Sequence, residues 1–181
     1  METNLNIDQE VILVNEQNEA IGKMEKMEAH RKAQLHRAFS VFIFNSKGEM
    51  LLHQRALNKY HCGGLWTNAC CSHPSPGEET LAAASRRLKE EMGFNTNLRE
   101  AFHFIYKAGF ENGLTEYEFD HVYIGVYDGP VQANTDEVKD YCFKPMEAID
   151  NSLITHPQKY TPWFRIAFPK LEEYMQTHPI N

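Results

Sequence analysis

The densest patch of reactive side chains in the chain runs from Thr67 to Pro74 and reads Thr-Asn-Ala-Cys-Cys-Ser-His-Pro. Along an extended segment side chains alternate between faces, so Cys71 and His73 share one face while Cys70 takes the other. One thiol can then do chemistry while its neighbour packs. Two small buried thiols are the plainer reading and the commoner fate of cysteine; that reading suits Cys70, whereas the histidine two residues away favours a working Cys71. Glu116 and Glu118 flank Tyr117 at the head of an otherwise apolar and aromatic segment, and period two puts both carboxylates on one face. Solvated edge charges are the alternative. Together with His30, His36 and His73 they offer three imidazole nitrogens and two or more carboxylate oxygens, a donor set that suits a divalent cation such as zinc, manganese or magnesium.

A second group of residues is suited to an anion. Arg87 and Glu91 lie four apart on one helical face, where an exposed ion pair would contribute only about 0.3–0.5 kcal/mol. The alternative assigns Arg87 to a phosphate and Glu91 to a second cation. Lys26, Arg55 and Lys59 add positive charge to the same pocket, and Arg55 is the strongest of these because its fork grips phosphate oxygens in two places. A single lysine is otherwise a solvated charge.

Elements must bring these residues together. Residues 10–14 read as a strand closed by the polar stretch 15–18, and 38–44 as an apolar strand that turns at Asn45-Ser46-Lys47-Gly48 into a partner over 49–53. The segment 23–35, which carries His30, reads as charged and weakly helical. The clearest helix covers 78–92, with Leu81, Ala84, Leu88 and Met92 at helical spacing and Gly93 as its stop. Strands follow at 102–107, 117–127 and 138–143, then helical pieces at 145–153 and 163–176. This mixture predicts the α/β class, with helices on both faces of a mixed sheet.

The 181 residues, 42% of them hydrophobic and 24% charged, describe one ordinary globular domain. The formal net charge of -7 argues against a general nucleic-acid or anionic-membrane binder. The opening METNLNIDQE has neither a basic nor an apolar signal region, and no window is apolar enough for a membrane span, so a soluble, cytoplasmic protein is expected. Cys62, Cys70, Cys71 and Cys142 show no CxxC spacing and are expected as reduced thiols.

Taken in order, Glu25-Lys26-Met27-Glu28-Ala29-His30, Leu35-His36-Arg37-Ala38-Phe39-Ser40, Leu65 to Pro74, Glu116-Tyr117-Glu118 and Pro162-Trp163 resemble the type I isopentenyl-diphosphate isomerase family, from about Glu10 to Phe168. The resemblance implies a Nudix-like α/β/α sandwich around a mixed β-sheet, one domain over 1–181 with a short N-terminal extension and a helical C-terminal tail covering the site. It implies the reversible 1,3-shift of a double bond in a five-carbon prenyl diphosphate. A first divalent metal, Mn2+, Zn2+ or Mg2+, would be held by His30, His36, His73, Glu116 and Glu118, and Glu91 would hold a Mg2+ that bridges to the substrate diphosphate. Cys71 and Glu118 would be the catalytic pair, assisted by Tyr106 and Trp163, with Lys26, Arg55, Lys59 and Arg87 binding the diphosphate. Glu118 would serve the terminal carbon and Cys71 the allylic carbon, the thiol pKa falling below its usual value of about 8.5 through neighbouring positive charge. Trp163 would face the developing carbocation, a contact worth up to roughly 2 kcal/mol when desolvated. No nucleic acid or membrane partner is expected, and a monomer is expected with a homodimer as the alternative.

The family pattern is broken at His61-Cys62-Gly63-Gly64, where relatives often carry a bulky residue and a proline before the glycine. The rival reading is a Nudix hydrolase, whose signature is Arg-Glu-hydrophobe-x-Glu-Glu-x-Gly. Here Arg86-Arg87-Leu88-Lys89-Glu90-Glu91-Met92-Gly93 places an arginine where the first of those glutamates belongs, which replaces a metal-binding carboxylate with a cation.

Overall fold

The computed structural model describes residues 9–180; the segment 1–8, on which most of the reading of the chain's opening rests, lies outside the described residues. The spine is β3 (His36–Phe44), an almost wholly apolar strand buried on both faces, as a strand covered on two sides must be. One edge pairs in parallel with β8 (Thr115–Val126) over nine residues, from His36 opposite Glu118 to Phe44 opposite Val126. Three strands share the other edge in succession: β1 (Glu10–Val14) at His36, β6 (Cys70–Ser72) at Phe39 to Val41, and β4 (Glu49–Arg55) at Phe44. β2 (Ala20–Glu25) lies antiparallel on β1, β5 (Trp66–Thr67) and β9 (Val138–Pro145) on β4, and β7 (Arg99–Gly109) on β8.

Alternation along β3 builds two cores. Phe39, Val41 and Ile43 meet Ala83, Ala84, Leu88 and Met92 of α2 (Thr80–Met92). Phe42 and Phe44 face the other way, against Ile149 of α3 (Met146–Thr155) and Phe164, Phe168 and Leu171 of α4 (Pro162–Thr177). Each such fully buried side chain is worth about 1.5–3 kcal/mol relative to exposure, so the C-terminal helix is a structural layer as well as a cover. The result is the expected sandwich of helices on both faces of a mixed sheet. Among the described residues, no helix is long and apolar enough to cross a membrane.

One expectation is corrected. The segment 23–35 is not one weak helix: Ala20–Glu25 is a strand and only Lys26–Arg31 (α1) is helical. Pairing of Glu10 to Leu13 with Gly22 to Glu25 satisfies that backbone. Glu25 then ends the strand and caps the helix, its carboxylate accepting from the backbone N–H of Met27 at 2.6 Å and of Glu28 at 2.8 Å.

Gly93 ends α2 with φ +77°, and a Cβ there would come within 2.3 Å of the Gln132 carbonyl oxygen. Gly48 has φ +78° with nothing within 4 Å. Gly48→Ala is therefore expected to cost about 1–2 kcal/mol, the left-handed penalty alone, and Gly93→Ala clearly more, read as denaturant midpoints at equal slope. Equal costs would show that the close approach to Gln132 does not matter.

Candidate active site

The parity of β3, β6 and β8 collects the chemistry on the α4 face of the sheet. His36 and Ser40 lie on β3, Cys71 on β6, and Glu116, Glu118 and Asp120 on β8; this last stripe continues as Val122 and Ile124, which belong to the α4-side core. Cys70 and Cys71 do point to opposite faces. Cys70 is buried against α2, and Cys71 packs against the α4-side cluster.

Ligand atoms of His30, His36, His73 and Glu118 all lie within 4.8 Å of one another, and all four residues are buried. His30 Nδ1 is 2.6 Å from the Lys26 carbonyl and His36 Nδ1 is 2.8 Å from that of Gln34. A carbonyl only accepts, so each ring carries its proton on Nδ1 and turns an Nε2 lone pair inward. His30 Nε2 is buried without any partner, and His36 Nε2 faces His73 Nε2 at 3.2 Å. His73 Nε2 is also 2.9 Å from Glu118 Oε1. Converging lone pairs beside a buried carboxylate fit a divalent cation, with ring nitrogens oriented by backbone acceptors as metal-bound histidines usually are.

The electrostatics favour neutral rings at His30 and His73, and His36 is the exception. Burial pushes the pKa of His73 down to about 3, against the pull of Glu118. Burial likewise lowers that of His30. For His36 the burial penalty is outweighed by its hydrogen bond to Glu118, and the net shift is upward. Burial also opposes charge on Glu118, yet the hydrogen bonds and charges of His36 and His73 hold it well below the usual carboxylate range.

Glu116 stands beside this group and outside its closest set. The Tyr106 hydroxyl donates to Glu118 Oε2 at 2.6 Å and lies 2.9 Å from Glu116 Oε2, so it ties the two carboxylates together. Three further residues complete the neighbourhood without having been singled out from sequence. His61 Nε2 lies 2.9 Å from Glu116 Oε1, at an angle that misses a hydrogen bond, and its ring stacks on Phe110. Ser40 donates to Asp120 Oδ2 at 2.7 Å and sits 3.4 Å from the Cys71 sulfur. Asp120 continues the alternation of Glu116 and Glu118, a signal that was available; His61 and Ser40 offered none.

The Cys71 thiol does not follow the expected direction. Burial pushes its pKa well up, and no cation stands close enough to offset the shift. At rest it is a neutral thiol, donating to Asn68 Oδ1 at 3.1 Å.

The cations form a second cluster. Arg87 donates to Glu91 Oε1 and Glu90 Oε2 at 2.6 Å each, and its side chain is only 17% exposed, so this is not a loose surface pair. Lys59 pairs with Glu137, which also lies 3.6 Å from Arg87. Burial and then the charges of Lys59 and Arg87 lower the Lys26 pKa. The Arg55 guanidinium sits 5.1 Å from the centre of the Trp163 ring, so the cation on that indole is the protein's own. Arg55 Nε and Arg87 Nε are both buried with no acceptor, an arrangement that an anion's oxygens would relieve. Glu137, which sequence reasoning passed over, is a carboxylate set among these cations.

The comparisons agree with the fold. The NUDIX domain family matches residues 34–164, and the chain belongs to it. Its fold is similar to those of DR0079 from Deinococcus radiodurans, at a TM-score of 0.76 and 18% identity over 90% of this chain and 98% of that one, and of a MutT protein from Methanosarcina mazei, at 0.64 and 20% over 81% and 96%. Within the Nudix family the chain belongs to the isopentenyl-diphosphate delta-isomerases. It is 50% identical to the isopentenyl-diphosphate delta-isomerase of Pectobacterium atrosepticum over 92% of this chain and 93% of that protein. It is 43% identical to isopentenyl-diphosphate delta-isomerase 2 of Photorhabdus laumondii over 94% and 99%.

Because the clustered ligand atoms come from separate segments, His73→Ala is expected to lose stoichiometric divalent metal on dialysis. Glu116→Ala should weaken retention less, roughly 10- to 100-fold, as a supporting group does. Elemental analysis after dialysis checks both, and unchanged content in His73→Ala would show that the cluster is polar packing only.

Proposed function

We propose that this chain, acting as a single domain, is an isopentenyl-diphosphate delta-isomerase that interconverts isopentenyl and dimethylallyl diphosphate. The observation that carries the reading is geometric: β6 and β8, on either side of β3, bring the Cys71 thiol and the Glu118 carboxylate to the same face of the sheet, the one packed against α4. The reaction adds one proton at one end of an allylic unit and removes one at the other, so one group must arrive loaded and the other empty.

Cys71 serves the allylic carbon, and Glu118 with Tyr106 serves the terminal carbon. Starting from dimethylallyl diphosphate, the thiol gives its proton to the allylic carbon and Glu118 takes one from a methyl group. The opposite direction starts from the complementary state, with the proton on Glu118 and a thiolate at Cys71, so no net proton is consumed either way. Both directions pass through tertiary-carbocation character, which water would trap. Burial of Tyr106, Glu118 and Trp163, each no more than 6% exposed, keeps water away.

His30, His36, His73 and Glu118, with Glu116 tied in through Tyr106, would hold one divalent ion, Zn2+, Mn2+ or Mg2+. Bound there, it would fix Glu118 and make a proton on it easier to release. Glu91 would hold a Mg2+ accompanying the diphosphate, whose oxygens the unpartnered N–H groups of Arg55 and Arg87, with Lys26 and Lys59, are placed to receive. No observation favours the hydrolase reading. Arg87 occupies the helix position where that chemistry needs a carboxylate, and it neutralises the acids next to it. The partner is a small prenyl diphosphate and not a nucleic acid or a membrane, the place is the cytoplasm, and a monomer suffices because the site is drawn from this one chain.

Incubation with isopentenyl diphosphate and magnesium in deuterated water should give dimethylallyl diphosphate carrying solvent deuterium; phosphate release without an isomer would sink the proposal. Cys71→Ala should abolish this turnover with metal content retained, and full activity in that variant would remove the thiol from the mechanism. By calorimetry with an unreactive diphosphate analogue, Arg87→Ala should weaken binding and Arg87→Lys should restore only part of it, since an ammonium lacks the fork. Wild-type affinity in Arg87→Ala would return Arg87 to a structural ion pair.

A further inference from the structure

Thr67, which the mechanism above does not use, stands between two of the residues it does use. Its hydroxyl oxygen accepts from the Trp163 indole N–H at 3.0 Å and from the Thr161 hydroxyl at 3.1 Å. Its own hydrogen goes to Asn68 Oδ1 at 2.9 Å. All four side chains are buried, none more than 3% exposed. Two donors arriving at one hydroxyl leave its single hydrogen one direction to point, and a β-branched side chain is stiff enough to hold that direction.

Asn68 passes the constraint on. Its amide cannot turn over, because Nδ2 donates to the backbone carbonyls of Val41 and Cys70, each at 2.9 Å. Oδ1 therefore faces Thr67 and Cys71. A carbonyl oxygen has two lone pairs: Thr67 fills one, and the Cys71 thiol takes the other at 3.1 Å. The remaining neighbour of the sulfur, Ser40, has its own hydrogen committed to Asp120. A continuous buried path thus runs from the Trp163 indole N–H through the Thr67 hydroxyl and the Asn68 carbonyl to the Cys71 S–H. The same corner is pinned by the backbone, where Thr161 N–H donates to the Trp66 carbonyl at 3.0 Å.

We propose that Thr67 is a positioning residue that ties the orientation of the Trp163 indole to that of the Cys71 thiol, so that the start of α4 and the reactive sulfur are set together. Removing the hydroxyl frees the indole N–H and leaves Asn68 Oδ1 two open lone pairs, so that the thiol hydrogen gains a second orientation. In its statement about turnover, the proposal rests on the isomerase reading; in its statement about the indole, it does not.

The test is the near-isosteric Thr67→Val beside Thr67→Ser. Misplacement at a reacting group lowers turnover and leaves diphosphate binding alone, so Thr67→Val should lose roughly tenfold or more in kcat with KM within about twofold, and Thr67→Ser should recover most of it. The chain has two tryptophans, so Trp66→Phe assigns the Trp163 indole resonance. That N–H should be protected from exchange and shifted downfield in the wild type and in Thr67→Ser, and unprotected in Thr67→Val. Thr96→Val removes a threonine hydroxyl that donates to the Val126 carbonyl, away from this path. It should lower Tm with kcat retained.

Wild-type kcat and indole protection in Thr67→Val would overturn the proposal, as would equal losses in Thr67→Ser or a matching kcat loss in Thr96→Val. Should Thr67→Val not fold, a freely exchanging Trp163 indole in the wild-type protein overturns it instead. If the wild type fails to isomerise, the function assigned above fails, and the indole measurements still decide whether Thr67 holds Trp163.

Discussion

Everything at the site depends on where three imidazoles keep their protons. His30 and His36 each spend Nδ1–H on a backbone carbonyl one short step away in sequence, that of Lys26 and that of Gln34. Their Nε2 lone pairs are thereby committed to a buried point shared with His73. Lone pairs brought together without water repel unless something positive lies between them. Protonating the rings is a poor answer at His30 and His73, where burial pushes the imidazolium form out of reach. A cation is the better one, and Glu118 supplies the opposing charge. The geometry that sets this up is local: a single turn of α1 places the Lys26 carbonyl, and the entry into β3 places that of Gln34.

The parallel pairing of β3 with β8 determines what surrounds that point. With His36 opposite Glu118, the register puts Ala38 opposite Asp120 and Ser40 opposite Val122. One face of β8 therefore runs from Glu116, Glu118 and Asp120 directly into core residues Val122 and Ile124. Three carboxylates so close to an apolar core are costly unless each is answered. Histidines answer Glu118, Tyr106 and His61 stand at Glu116, and Ser40 holds one oxygen of Asp120. The second oxygen of Asp120 is buried without a partner, which is why burial and the neighbouring Glu118 drive its pKa far upward. The same low-polarity surroundings keep Cys71 protonated. Acid and base are thus sorted by environment, the thiol by lack of cations and Glu118 by an excess of imidazole contacts.

Much of this was legible in the sequence because it follows from periodicity. Period two separates Cys70 from Cys71 and aligns Glu116 with Glu118, while helical spacing identifies α2 and places Arg87 with Glu91. Where tertiary contacts decide, the sequence is silent or misleading. The charged segment from Lys23 read as weakly helical, whereas pairing with β1 makes its first residues part of a strand. His61 and Glu137 carry no local pattern, and only the packing of the 56–64 loop and the approach to β9 bring them to the site. The direction of the Cys71 shift depends on which charges lie closest across strands. Sequence counted nearby cations, whereas the fold puts Asp120 beside the sulfur.

Charge and chemistry are kept on different elements. Arg87 and Glu91 belong to α2, Lys26 to α1, and Arg55, Lys59 and Glu137 to the segments on either side of β4 and β9. Cys71 and Glu118 lie on β6 and β8 and face α4. The cationic groups are thereby held apart from that face, and the Trp163 wall with its Arg55 contact marks where the two regions meet. Arg87 sets a cation on α2 where a carboxylate could stand, beside Glu90 and Glu91. One fold can therefore serve unlike reactions by changing a few residues on one helix and one sheet face, which is how function is usually distributed over a shared scaffold.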